Sequence, residues 1–182
     1  MKHLGTKILE TKRLILRKFS LNDCEDFYNN WASDDRVTKY VTWDTHKDIE
    51  LTKLLVKEWI ECYKESNYYQ WIIELKEIKQ AIGSISVVRI NEEKKEMEIG
   101  YCIGYDYWNH GYTTEAFQKV IDFLFNEVDV DKIVARHDSR NIGSGKVMEK
   151  CGMKFVGTIE DTNKGENIIL KLYEVKKTCY NY

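Results

Sequence analysis

Trp108-Asn109-His110-Gly111-Tyr112-Thr113-Thr114-Glu115 is the stretch of this chain whose residue types and order could do chemistry. It follows a strand-like run, Tyr101-Cys102-Ile103, and leads into a helical pattern beginning at Tyr112. The first turn of a helix has unpaired backbone N–H groups and the positive end of the helix dipole, so it attracts phosphate. Gly111 at the entrance lets a ligand approach the main chain with no Cβ in the way. Thr113 and Thr114 add hydroxyl donors. Two readings of the stretch stand side by side: a phosphate site, or a plain turn with Thr113 capping a helix. Gly143-Ser144-Gly145-Lys146 looks like the end of a nucleotide-binding loop, but Arg140 and Val147 stand where that pattern needs Gly and Ser or Thr. No G-x-G-x-x-G follows a strand, so a dinucleotide fold has no support.

The elements that must position this loop can be read from periodicity. The 182 residues suit one domain, residues 1–182 with a core over about 8–175. Hydrophobic residues make up 43%, enough for a packed core and against global disorder. Arg13 to Phe19 alternates as a strand. Ser20 with Asp23 resembles a capping box and opens a helix through Phe27 and Trp31. Thr45 to about Tyr63 has helical spacing. Tyr68 to Leu75, Ala81 to Ile90 and Glu96 to Gly104 read as an antiparallel meander. Tyr105 to Gly111 is a loop and Tyr112 to Glu127 a helix with a broad apolar face. Lys132 to Arg136 is a strand, Asn141 to Lys150 a helix stopped by Gly152. Lys154 to Glu160 and Glu166 to Val175 form a hairpin around Asp161-Thr162-Asn163-Lys164-Gly165. The strand, helix and strand around Tyr112 make a crossover that requires a parallel neighbour. The expected fold is α/β (α+β), a mixed, mostly antiparallel seven-stranded sheet with helices on both faces.

Composition bounds the partners. The 28 basic and 30 acidic residues leave a net charge of −2, which disfavours a general nucleic-acid binder. Apolar runs fall far short of the roughly 20 residues that span a bilayer, and the N-terminus lacks a signal-peptide pattern. The expected location is cytoplasmic. The five cysteines contain no CxxC pair, so neither a metal site nor a disulfide framework is expected, and the thiols are read as reduced. Cys102 reads as a small buried hydrophobe.

The chain resembles the GNAT superfamily of acetyl-CoA-dependent N-acetyltransferases, in the branch that includes the ribosomal-protein N-terminal acetyltransferases. The likeness rests on four blocks in order: Glu10 to Arg17, Met97 to Tyr101, Trp108 to Ala116, and Asn141 to Ser144 with Val147 to Met153. It implies acetyl-CoA as cofactor, with coenzyme A as product. It also implies a parallel, splayed strand pair at the cofactor site. The family's pyrophosphate loop falls on Trp108 to Thr113; Gly111 matches it, while Trp108 and Thr113 depart at the outer positions. The resemblance assigns Tyr101, Cys102 and Ile103 to the pantetheine arm by strand addition. It assigns Asn109, His110, Tyr112 and Thr114 to the phosphates and Asn141 to the amide or thioester end, with Ser144 one turn further along.

Acetyl transfer to an amine needs a base, because an ammonium has no lone pair. It also needs oxyanion donors and an acid for the leaving thiolate. Glu98 is the candidate base, acting through a water, and a backbone N–H near Ile103 the oxyanion donor. Met148 stands where many relatives place a Tyr, so Ser144 is the candidate acid. Tyr101, Tyr105, Tyr112 and Tyr173 are further donors, and His137 could face the cleft. Trp31, Tyr40 and Trp43 are the candidate acceptor pocket. The acceptor reads as a protein N-terminal amine, or alternatively a small amine such as an amino acid, polyamine or antibiotic. A non-catalytic acyl-CoA-binding module is the third reading. The protein is expected to be a monomer or homodimer.

Overall fold

The computed structural model describes residues 1–180; the last two positions of the expected domain lie outside the described residues. The chain opens with a short hairpin, β1 (Leu9–Glu10) and β2 (Leu14–Arg17). The sequence reading missed β1, so the sheet has eight strands rather than seven. A two-residue strand is too short to show alternation. Beyond β2 the capping box forms as expected, Ser20 N donating to Asp23 Oδ2 at 2.7 Å. It starts a short 3-10 turn that continues as α1 (Cys24–Phe27) and a π turn, Tyr28–Ala32. Then come α2 (Asp35–Thr38) and α3 (Ile49–Cys62). The latter begins later than the expected Thr45 because Asp48 is its cap, accepting from Glu50 N and Leu51 N. Thr45 instead spends its hydroxyl on Asp35.

The meander is β3 (Gln70–Leu75), β4 (Gln80–Asn91) and β5 (Glu96–Ile103). Next, α4 (Tyr112–Phe123) runs on as a π turn, Leu124–Val128, and is followed by β6 (Lys132–Asp138) and α5 (Ile142–Lys150). The chain closes with β7 (Lys154–Asn163) and β8 (Glu166–Lys176). Their turn is only Lys164-Gly165, at φ 51° and 80°, the paired left-handed geometry that suits a twisted hairpin. The strand order is β1-β2-β3-β4-β5-β6-β8-β7, and the parallel β5–β6 pair is joined by the α4 crossover, as the pattern required.

Neighbouring residues on β3 show the two faces of the sheet. Trp71 and Ile73 pack with Phe117, Val120 and Ile121 of α4, while Ile72 packs with Phe27, Trp31 and Val56 of the helices on the other side. Alternation along a strand puts successive side chains on opposite faces. The feature that matters for function lies between β5 and β6. They pair only at Glu96–Lys132, Met97–Ile133 and Glu98–Val134. Beyond these, β5 continues to Ile103 and β6 to Asp138 without pairing to each other, so a gap opens in mid-sheet. On the opposite edge of β5 the register with β4 shifts between Val87 and Arg89, next to the same place. Val88 of β4 is the extra residue of this bulge, which bends its strand and increases the local twist.

Candidate active site

The loop leading into α4 is built from backbone conformation. Asn109 (φ 63°) and Gly111 (φ 79°) are both left-handed, and Gly111 is the N-cap of α4 with no side chain accepting from the first turn. The helix therefore begins with N–H groups open to an anion. A Cβ on Gly111 would meet only Arg13 Nη2, at 3.6 Å. Thr113 is buried, which takes its hydroxyl out of the exposed donors the sequence offered; Thr114 is half-buried. His110 is exposed and its ring stacks on Tyr112, centroids 5.5 Å apart. Trp108 does structural work, its indole Nε1 donating to Ile103 O at 2.9 Å and tying the loop to the end of β5.

Two residues that sequence reasoning gave no role brace this loop. Glu115, in the first turn of α4, accepts from Thr11 Oγ1 (2.6 Å), Arg13 N (2.9 Å) and Arg13 Nε (2.6 Å). Arg13 in turn donates from Nη1 to His110 O at 3.0 Å and lies over the Tyr112 ring. Burial alone would raise the Glu115 carboxyl, but the hydrogen bonds from Thr11 and Arg13 outweigh it and hold it below the usual range. The β1–β2 turn is thus clamped to the head of α4.

A cavity of about 670 Å³ lies across the gap between β5 and β6. Glu98, Tyr101, Cys102, Asn141 and Ser144 all line it. Glu98 is the last β5 residue in register with β6 and is 4% exposed. Its Oε1 accepts from Arg136 Nε at 2.6 Å. Its Oε2 has Arg89 Nη2 at 3.2 Å but no hydrogen bond. Buried polar atoms in folded proteins nearly always find a hydrogen-bond partner, so an Oε2 held by an ion pair alone is an unusual feature of this cavity. The two arginines were not found from sequence. The signal was the sheet register, which sets Arg89 opposite Glu98 on β4 and Arg136 two residues beyond Val134 on β6.

Ser144 and Tyr101 meet as a hydroxyl pair. Tyr101 Oη donates to Ser144 O at 2.9 Å and accepts from Ser144 Oγ at 3.0 Å. Burial pushes the Tyr101 phenol upward, so it stays a proton donor at neutral pH. Met148 is a core residue, 1% exposed. Asn141 is the N-cap of α5, its Oδ1 accepting from Ser144 N at 3.3 Å. His137 lines the cavity but is buried; its Nδ1 donates to Asp138 O at 2.7 Å, leaving Nε2 without a partner. A Cβ on Gly145 would sit 2.7 Å from that nitrogen, so Gly145 serves close packing of α5. Cys102 is half-buried, and desolvation pushes its thiol up to about 12.

The wall away from α5 is aromatic. Trp31, Tyr40 and Trp43 all line the cavity, with Trp59 and His46. Trp31 is fully buried and stacks on Phe27, so it forms the back of the wall; Tyr40 and Trp43 are half-buried. The tip of the β7–β8 hairpin closes over this side. Asn163 Nδ2 donates to Val41 O at 3.2 Å and Lys164 Nζ to Thr38 O at 2.9 Å.

The arrangement can do one kind of chemistry well. A free strand edge, a buried carboxylate and a hydroxyl pair converge on one cavity, and the anion-binding loop follows directly from the same strand, β5. Comparison with known proteins agrees. Residues 13–154 match the family model described as an acetyltransferase (GNAT) domain. An uncharacterized N-acetyltransferase, p20 of Bacillus licheniformis, is 29% identical over 165 residues, covering 91% of this chain and 92% of that protein. A solved GNAT-family acetyltransferase from Bacillus anthracis superimposes with a TM-score of 0.83 at 26% identity, over 94% of this chain and 99% of that one. RimL, a ribosomal L7/L12 α-N-protein acetyltransferase solved with coenzyme A, has the same fold at TM-score 0.83 and 15% identity, over 93% and 98% of the two chains.

Proposed function

The chain belongs to the GNAT acetyltransferase family and is an acetyl-CoA-dependent acyltransferase; from that premise we propose that it acetylates a primary amine held in the aromatic-walled cavity. The observation that carries the reading is the parting of β5 from β6 just beyond Glu98. It leaves an unpaired strand edge at the place where the cavity passes from one face of the sheet toward α5. Acetyl-CoA supplies an activated thioester. The residues present fit it: the uncapped first turn of α4 suits a diphosphate, and β5 beyond Glu98 suits an amide-bearing arm by strand addition.

The chain's own residues then have separable tasks. Arg136 fixes the orientation of Glu98, and Oε2, which lacks a hydrogen bond, takes the proton of the acceptor amine directly or through a water. The Tyr101–Ser144 pair returns a proton to the departing thiolate. Tyr101 gives up the proton, and the hydrogen bond its oxygen accepts from Ser144 Oγ stabilises the phenolate until solvent reprotonates it. Glu115 holds the loop in place, and Arg13 braces it with a guanidinium whose Nη2 lies beside Gly111, where the diphosphate approaches. We also infer a cytoplasmic setting from the five cysteines, read as reduced thiols with no CxxC pair; no helix among the described residues is long and apolar enough to cross a membrane.

The acceptor is either a peptide N-terminal amine or a small amine. Thiol release from acetyl-CoA, followed against peptides and small amines, tests the activity. Release that depends on an amine and falls with Glu98→Gln supports the proposal. Saturable cofactor binding with no release for any amine would make the chain a binding module instead.

A further inference from the structure

We propose, resting on the acetyl-transfer reading above, that the natural acceptor is a free amino acid with an apolar side chain, its carboxylate received by Arg89 and Arg136. The cluster around Glu98 carries two guanidiniums and one carboxylate. Arg136 uses Nε on Glu98 Oε1, and Arg89 has a single Nη2 contact at 3.2 Å to Oε2. Neither guanidinium has another acceptor among the described residues. Both line the cavity, and their side chains are 64% and 39% exposed for Arg89 and Arg136. Both guanidiniums therefore keep donors free for a ligand.

Of the other acids of the cavity, Asp138 does not offset this charge. Asp138 is gripped by Arg140, which donates from both Nε and Nη2. Asp161, in β7 opposite Ile168, accepts from Thr162 N and keeps its own negative charge on the hairpin side of the cavity. Arg89, Arg136 and Glu98 together carry one unit of positive charge, the complement of a single carboxylate rather than a doubly charged phosphate. Guanidinium groups bind carboxylates through a planar fork of donors. The excess also lowers the proton affinity of an incoming ammonium, as a nearby like charge must. An amine and a carboxylate on one carbon would place the amine near Glu98 Oε2 while the carboxylate meets Arg89. The aromatic wall, with Trp43 and Trp59 partly exposed, gives the side chain an apolar surface. A peptide N-terminus lacks the adjacent carboxylate that this arrangement would bind.

The test pairs acids with their carboxamides. Thiol release from acetyl-CoA is measured for phenylalanine, tryptophan, leucine and methionine, each beside its amide, in the wild type, Arg89→Gln and Arg89→Lys. Binding of N-acetylphenylalanine and of its amide is measured by calorimetry. The expected kcat/KM ratio of acid over amide is roughly 10- to 100-fold, collapsing toward one in Arg89→Gln and partly retained in Arg89→Lys. N-acetylphenylalanine should bind the wild type more tightly than its amide does. Equal rates for acids and amides, a ratio unmoved by Arg89→Gln, or a peptide amine preferred over every free acid overturns the inference while acetyl transfer stands. If no amine releases thiol, the acetyl-transfer reading fails by itself, and the product-binding comparison still decides the carboxylate pocket.

Discussion

Gly111 and Gly152 offer a controlled pair of perturbations. Both have φ of 79°, in the left-handed region. A Cβ on Gly152 would meet nothing within 4 Å, and one on Gly111 only Arg13 Nη2 at an ordinary 3.6 Å. Neither substitution to alanine clashes with the protein, so the cost to folding is the conformational one, about 1–2 kcal/mol each. For a chain of this size that is a melting shift of about 2–8 °C. Gly111 alone sits at the head of α4. Its new methyl stands where the diphosphate must approach the main chain, so Gly111→Ala should also raise the dissociation constant for coenzyme A by roughly tenfold or more, about 1.4 kcal/mol. Gly152→Ala should leave that constant alone. Differential scanning calorimetry and isothermal titration measure the two quantities. Equal cofactor affinities in the two variants, at matched loss of stability, would refute the placement of the phosphates at this turn.

Other consequences can be measured on the same material. Glu98→Gln should lower kcat by roughly 10²-fold with coenzyme A affinity preserved; an unaltered kcat in stopped-flow thiol release removes Glu98 from proton transfer. Glu115→Gln should cost about 1–3 kcal/mol of unfolding free energy and weaken coenzyme A binding, because the clamp between the β1–β2 turn and α4 loosens; urea melts and titration check both. Stability should fall on acidification, beginning below about pH 6.5. His46 and His137 are both lowered from 6.5 by burial, so the unfolded chain binds those protons first. Below about pH 4.5 the carboxyls follow. Asp138 is held low by Arg140 and Glu115 by Thr11 and Arg13 against its burial, while Asp129 is held at about 2 by Lys177 and Lys95. Each contribution is present above the ordinary carboxyl value and is lost as pH falls through the folded one. Urea melts that superimpose at pH 7 and pH 5 would contradict the histidine assignment.

What the sequence could reveal followed the length scale of the signal. The meander, the α4 crossover and the β7–β8 hairpin show as sustained periodicity. The head of α4 shows as a glycine after an apolar strand. β1 left no such trace, since two residues cannot alternate. The helical spacing from Thr45 reaches ahead of the true start of α3, because Asp48 caps that helix and Thr45 gives its hydroxyl to Asp35. The site was legible where it is contiguous in the chain. Glu98, Tyr101 and Ser144 could be named, but their company could not. The Arg89–Glu98–Arg136 group is assembled from three strands through a bulge and a parallel pairing of three residues, and the Arg13–Glu115 clamp spans 102 positions. Neither register nor bulge is written in any local pattern.

The central claim is that the gap beside β5 and the uncapped turn at Gly111 together receive acetyl-CoA. Hydrogen–deuterium exchange with and without acetyl-CoA tests this most directly. Exchange should slow in residues 99–103 of β5 and 109–114 of the loop and first turn, with the β1–β2 turn little changed. Protection confined to other parts of the chain, or none at saturating acetyl-CoA, would contradict it.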